Sequence, residues 1–389
     1  MPKQGTGTNI LLTVVLLLAV VVLVFQLRLA DKVESLEEDL GGGLDRLNFT
    51  ADHFEQYRAL RVVPPGQRDL LYPAGRTFRR GDNLDQFQSR CRAELIALAG
   101  LDTELLERPV KMTKLSTERL DSLGLVRDRM EFGFADNPEW LLRGYLLYPA
   151  GSTEKLPGIV CLNGHLGQAA AVAGIVDDYT NGFGLALARE GFRVLTFDWC
   201  FEGESELRSG GAIVAGHDSL SVWTGATGRT GLALYMENAW CAFKALSDDP
   251  GTDTSRLGVT GISRGGELTT YFAAMFAPRI DAYYASGAGF PFVYRRFGGG
   301  CKCTFVPEIF DSYEFSDLLI AAAPLPSRLQ LGVNDGIWGY WDNIGRIMEQ
   351  VQPVYESLGA AEHFGLDIHA GKHVYELSQG VQFFRRFLR

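Results

Sequence analysis

The sequence predicts an α/β fold: a mainly parallel central sheet with helices on both faces. Two observations predict it. From Leu156 onward, short runs of uninterrupted apolar residues alternate with helical patterns, the signature of βαβ units. Glycine, asparagine and aspartate fall where those runs end, and ligands in such sheets bind beyond the carboxyl ends of the strands.

Arg127 to Phe134 and Trp140 to Leu147 read as two strands joined at Asp136-Asn137-Pro138. Gly158 to Leu162 is a buried strand, and a helix runs from Phe183 to Arg189 and stops at Gly191. Phe192 to Phe197 is the next strand, followed by a helix over about 232–246. Arg256 to Thr260 enters a turn that opens a helix over about 265–276. Ala282 to Ser286, Arg328 to Leu331 and Ala361 to Ile368 complete the strands. Upstream, Phe54 to Leu106 is helical in pattern: Leu84, Phe87, Cys91, Leu95 and Leu98 recur at three and four residues, and Gly100 ends the run. This helix is expected only to pack on the domain that follows.

The amino terminus differs in kind. Ile10 to Phe25 is apolar except for Thr13, and Leu27 and Leu29 extend it. At about 1.5 Å per residue the stretch spans roughly 30 Å, the thickness of a bilayer core. It reads as an uncleaved signal-anchor, because Phe25-Gln26-Leu27-Arg28-Leu29-Ala30 lacks the small residues of a cleavage site. Lys3 stands on one side and Arg28 and Lys32 on the other, so the charge rule nearly ties. An extracytoplasmic catalytic domain is the expected arrangement. The organisation is then a tail and transmembrane helix at 1–29, a stalk at 30–50, a helical extension at 51–124 and a catalytic domain at 125–389.

A net charge of −10 and the lack of a basic stripe argue against a nucleic-acid partner, which would need clustered Lys and Arg. The six cysteines form no disulfide framework. Cys161 and Cys241 read as buried hydrophobes. Cys301-Lys302-Cys303 is left unexplained, with no neighbouring His or Cys in sequence to complete a metal site.

Gly261-Ile262-Ser263-Arg264-Gly265 lies between a strand and a helix. Such a turn is strained, and glycines at 261 and 265 admit it while Ser263 is presented above the sheet. A serine hydroxyl needs a base to take its proton, and the base needs an orienting acid. Asp335 follows the Arg328–Leu331 strand and His373 follows the last strand, giving the order Ser, acid, His. His369 is the competing base, with Asn334 and Asp367 the competing partners. Backbone N–H groups of Arg264 and His165 are the candidate oxyanion donors, the latter in the loop Leu162-Asn163-Gly164-His165-Leu166-Gly167.

These residues carry a resemblance. Asn163-Gly164-His165 after a strand, Phe197-Asp198 before Gly203-Glu204-Ser205, and Arg256 to Gly266 together resemble the dienelactone hydrolase and acetyl xylan esterase-like branch of the α/β hydrolases, over about residues 125–389. The resemblance implies an α/β-hydrolase fold and a Ser–Asp–His esterase without metal or organic cofactor. One departure is Asn163-Gly164, where members usually carry His-Gly. The implied substrate is a carbohydrate or small carboxylic ester. The insertions Trp199 to Thr230 and Gly289 to Pro326 hold candidate substrate-binding aromatics, Trp199 and Trp223 among them, with Trp338 beside Asp335. His217 lies in the first insertion and reads as a surface residue. Two other functions fit the same residues: a serine peptidase akin to prolyl oligopeptidases, whose long propeller this chain lacks, and an idle membrane-tethered binding protein.

Overall fold

The computed structural model describes residues 76–389 except 138–139, 166, 201, 206–223, 226–227, 291, 293–300 and 337–339; side chains at 105, 307 and 340–343 are also not described. The expected transmembrane segment at 10–29 and the stalk lie outside the described residues, as do His217, Trp223 and Trp338. Among the described residues, no helix is long and apolar enough to cross a membrane.

Among the described residues, nine strands form one sheet in the order β1-β2-β3-β5-β4-β6-β7-β8-β9. They are β1 Val110–Leu120, β2 Leu125–Phe134, β3 Leu142–Pro149, β4 Leu156–Leu162, β5 Arg193–Phe197, β6 Thr252–Ile262, β7 Ala282–Ser286, β8 Ser327–Gly332 and β9 Leu366–His369. Strands β1, β2, β3 and β5 pair antiparallel in turn. From β5 across to β9 every pairing is parallel. The parallel strands β4, β7 and β8, and β6 from Leu257 onward, are buried almost throughout, as strands covered on both faces must be.

Helices cover both faces. One face carries α1 (Leu84–Ala99), α3 (Gly231–Asp248), α4 (Arg264–Phe276), α5 (Phe315–Ala322) and α6 (Tyr340–Ser357). The other carries α2 (Phe183–Arg189) and α7 (Leu377–Phe387). Helix α1 buries Phe87, Cys91 and Leu95 and ends at Gly100, whose φ of 73° is the left-handed cap that glycine supplies. As expected, it packs on the domain. Its Gln88 amide donates to the carbonyls of Ile320 and Ala323, at 2.9 and 2.6 Å, and Phe87 meets Tyr313 edge-on.

Three expectations need correction. The sheet begins at Val110, so residues up to 124 are not a purely helical extension. Strand β1 is an edge exposed at most of its positions, with Lys111, Lys114, Glu118 and Arg119 along it, so no apolar alternation marks it. The last strand is only Leu366–His369, because Ala361–His363 forms a helical turn. Within the insertion at 289–326, Pro307–Ser312 and Phe315–Ala322 are helices. Helix α5 is buried along its whole length, so this segment is partly core.

Candidate active site

Ser263 sits between β6 and α4 with φ 60° and ψ −126°. A non-glycine residue in that region costs about 1–3 kcal/mol and persists only where its surroundings enforce it. Here the Ser263 N–H donates to the Ser286 carbonyl at 2.9 Å, and the Glu267 N–H donates back to the Ser263 carbonyl at 2.9 Å. The flanking glycines are a packing requirement. A Cβ on Gly261 would lie 2.5 Å from the Gly265 carbonyl oxygen, and one on Gly265 would lie 2.1 Å from that of Leu162. The elbow therefore forms because two backbones pass closer than any side chain allows.

Asp335 and His373 arrive from the ends of β8 and β9, and the structure brings them together. His373 Nδ1 lies 2.7 Å from Asp335 Oδ2, and Asp335 is only 5% exposed. The two loops hold one another: the Asn334 N–H donates to the Gly371 carbonyl at 3.1 Å and its side chain to the Ala370 carbonyl at 2.9 Å. A Cβ on Gly287 would lie 2.8 Å from His373 Cε1 and 3.4 Å from the Ser263 nitrogen. The His373 ring thus faces the elbow across a bare glycine. It stacks on Tyr179 with ring centres 5.6 Å apart. The competing groups are engaged elsewhere: His369 Nδ1 accepts the Gly371 N–H at 3.1 Å, and Asp367 accepts the Tyr284 hydroxyl at 3.0 Å. Burial lowers the His369 pKa from its ordinary value.

The loop after β4 closes on the other side of the elbow. A Cβ on Gly164 would lie 2.8 Å from Ser263 Cβ and 2.3 Å from the Tyr179 hydroxyl. The His165 carbonyl accepts that hydroxyl at 2.6 Å. His165 and Arg264, the two expected donors, therefore belong to the two segments that meet at Ser263.

The Arg264 side chain, to which the sequence pattern assigns no role, braces this loop. It is almost fully buried and forms a bidentate pair with Glu202, at 2.5 and 2.6 Å. It also donates to the Gly164 carbonyl at 3.1 Å and the Tyr235 hydroxyl at 3.0 Å. Its guanidinium lies over the rings of Tyr235 and Trp199, 4.9 and 5.6 Å from their centres. Burial opposes the charge, but Tyr235 and Glu202 more than offset it, so the pKa is raised. A planar, five-donor group suits this role, and lysine could not fill it.

Trp199 is a correction. As a candidate substrate-wall residue it should face the pocket, but it is fully buried and donates its indole N–H to the Asn163 carbonyl at 3.1 Å. Its apolar ring packs edge-on to Phe197 and Tyr235, so it supports the loop from beneath. Asn163, at the departure from the His-Gly pattern, is also fully buried and points its amide at the Phe197 carbonyl, 3.3 Å away. The Asp198…Gly203-Glu204-Ser205 pattern has a physical reason as well. Asp198 accepts the N–H groups of Ala169 and Glu204 at 2.7 and 2.8 Å. Gly203, at φ 53°, lies so close that a Cβ would strike this carboxylate at 2.4 Å.

The cysteine pair is the second correction. No histidine is near Cys301 and Cys303 in sequence, yet His165 Nε2 lies 3.3 Å from Cys303 Sγ, 138 positions away. The loop bearing Gly164 carries it there. Glu202, Tyr179 and this cysteine contact are all invisible in the sequence, because each depends on tertiary proximity. The only signal is Glu202 adjoining the Gly203-Glu204-Ser205 pattern.

No family model matches the sequence, and no curated protein matches it. Solved structures do match. A Bacteroides fragilis protein described as an acetyl xylan esterase superposes with a TM-score of 0.63 at 17% identity, covering 77% of this chain and 79% of that one. The glucuronoyl esterase from Solibacter usitatus gives 0.57 at 16% identity, covering 81% and 97%. A promiscuous CE15 esterase from a marine bacterial metagenome gives 0.59 at 13% identity, covering 81% and 94%. The chain has the α/β-hydrolase fold.

Proposed function

We propose that the protein is a serine esterase cleaving carboxylic esters carried by carbohydrates. The observation that supports this best is the alignment of Asp335, His373 and the strained Ser263 around the bare Gly287. The similar structures add weight, since those compared above are esterases and two are named for sugar-linked substrates.

In this reading Ser263 Oγ attacks the ester carbonyl while His373 Nε2 takes its proton, with Asp335 holding Nδ1 and favouring the imidazolium. The backbone N–H groups of Arg264 and His165 receive the negative charge developing on the carbonyl oxygen. One such donor typically accounts for about 3 kcal/mol of barrier lowering. His373 returns the proton to the leaving alcohol, leaving an acyl-Ser263 ester. Water then attacks that ester as His373 takes its proton, and Ser263 recovers the proton as the acid departs. The apolar segment at 10–29 supports a membrane-anchored enzyme with its site outside the cytoplasm, which protease accessibility in sealed cells would test.

The function is tested by Ser263→Ala. Turnover of p-nitrophenyl acetate should fall to background while the thermal transition persists; retained hydrolysis would refute the assignment. An ester panel run beside prolyl amides separates esterase from peptidase.

A further inference from the structure

Among the described residues outside the proposed triad, one group of metal-binding side chains has no role in the esterase reading. His165 Nε2, Cys301 Sγ and Cys303 Sγ all lie within 4.8 Å of one another, with the two sulfurs 3.0 Å apart and His165 3.3 Å from Cys303. Cys303 is fully buried, and Cys301 and His165 are half-buried. We propose that these three residues form a binding site for one Zn²⁺-class cation, which clamps the 163–165 segment to the 301–304 turn.

The chemistry of the donors carries the choice. Two thiolates and an imidazole are the ligands of a borderline-soft, tetrahedral ion, and oxygen-loving cations such as Mg²⁺ or Ca²⁺ gain nothing from them. Bonds of about 2.0–2.3 Å from one centre can reach three atoms this close. The backbone is arranged for it as well. The Cys303 N–H donates to Cys301 Sγ at 3.3 Å, across a single helical turn at Lys302–Thr304. Such an N–H···S bond orients a ligating sulfur, as outer-shell contacts at metal sites do.

The ligating thiols must lose their protons, so an entering cation would displace them. With three protein ligands, the fourth position belongs to water or an exchangeable group, so the ion is removable.

The site is independent of the esterase reading, and its test keeps the two apart. The full chain, in detergent and under reductant, is stripped with chelator and titrated with Co²⁺. One equivalent should produce thiolate-to-cobalt charge-transfer absorption that Zn²⁺ abolishes. Ser263→Ala should bind as the parent does. Cys301→Ser and Cys303→Ser should each weaken binding by more than the roughly 10–100-fold that losing an outer-shell partner costs. Should those variants fail to fold, X-ray absorption of the zinc-loaded parent still decides, with two sulfurs and one nitrogen expected. No thiolate band in the reduced parent, a band surviving in Cys301→Ser/Cys303→Ser, or a shell of only nitrogen and oxygen would overturn the proposal.

Discussion

Two loops close on Ser263 from opposite sides, and they are held in different ways. The His373 loop follows β9 and is fixed mainly by backbone contacts between the ends of β8 and β9, plus the Asp335 pair. The segment Asn163 to His165 follows β4 and is fixed by side chains from elsewhere: Tyr179, Trp199, Arg264 with Glu202, and Cys303. Where the sheet itself sets a loop, chain order suffices to place its residues. A loop set by converging side chains has its position written in contacts between remote segments. The difference predicts separate failures when each side is disturbed.

The largest effect is expected on the side-chain-braced loop. Arg264→Ala removes a nearly buried cation and strands Glu202, which is one-fifth exposed. A cost of about 3 kcal/mol in stability follows, the lower end for breaking a buried pair. With Gly164 no longer held, kcat should fall by about 10²–10³-fold, the scale of losing an oxyanion donor. Chemical denaturation and steady-state kinetics measure both, and an unchanged kcat would mean the brace is irrelevant to the site.

On the strand-set side the disturbance should be local. Gly287→Ala puts a methyl 2.8 Å from His373 Cε1, at a φ of 56°. Displacing the ring by about 1 Å can cost about 10²-fold in rate, with a stability loss of about 1 kcal/mol for the backbone strain. Matched kinetics and melting curves would show a kcat defect out of proportion to the stability change. A loss of stability comparable to that of Arg264→Ala would erase the contrast between the two loops.

The smallest effect on kcat is expected at a residue outside both loops, which serves as a stability control. Asp317 caps α5 and accepts the N–H groups of Phe78 and Glu314 at 2.9 and 2.8 Å. Burial raises its pKa from 3.8 to about 7. A carboxyl with a raised folded-state pKa binds its proton more tightly when folded. Its contribution is therefore fully present below about 4 and is lost as pH climbs towards 7, at no more than about 1.4 kcal/mol per pH unit. The melting-temperature gap between the parent and Asp317→Asn should narrow as pH rises from about 4 to about 7.5. A constant gap would mean that this carboxyl does not titrate there.

The same contrast explains what is legible in the sequence. Strands β4, β5, β7 and the Leu257–Ile262 half of β6 are short, buried, largely apolar runs with turn residues at their ends, so their chain order and the place of Ser263 can be read directly, and Asp335 and His373 follow the two later strands. Strand β1 cannot, because its exposed charged residues carry no periodic signal. Trp199 is misread because an aromatic in an insertion looks the same whether it lines a pocket or plugs the core. The Arg264–Glu202 pair and the His165–Cys303 contact join residues 62 and 138 positions apart. Composition and spacing have no purchase on such pairs.

The esterase reading stands on an activated nucleophile at the strained elbow. A fluorophosphonate probe tests this most directly, because it reacts covalently only with a serine whose proton a neighbouring base removes. A single adduct is expected, mapped by peptide mass spectrometry to Ser263 and lost in His373→Ala. An unlabelled protein that remains folded, or an adduct on any other serine, would contradict it.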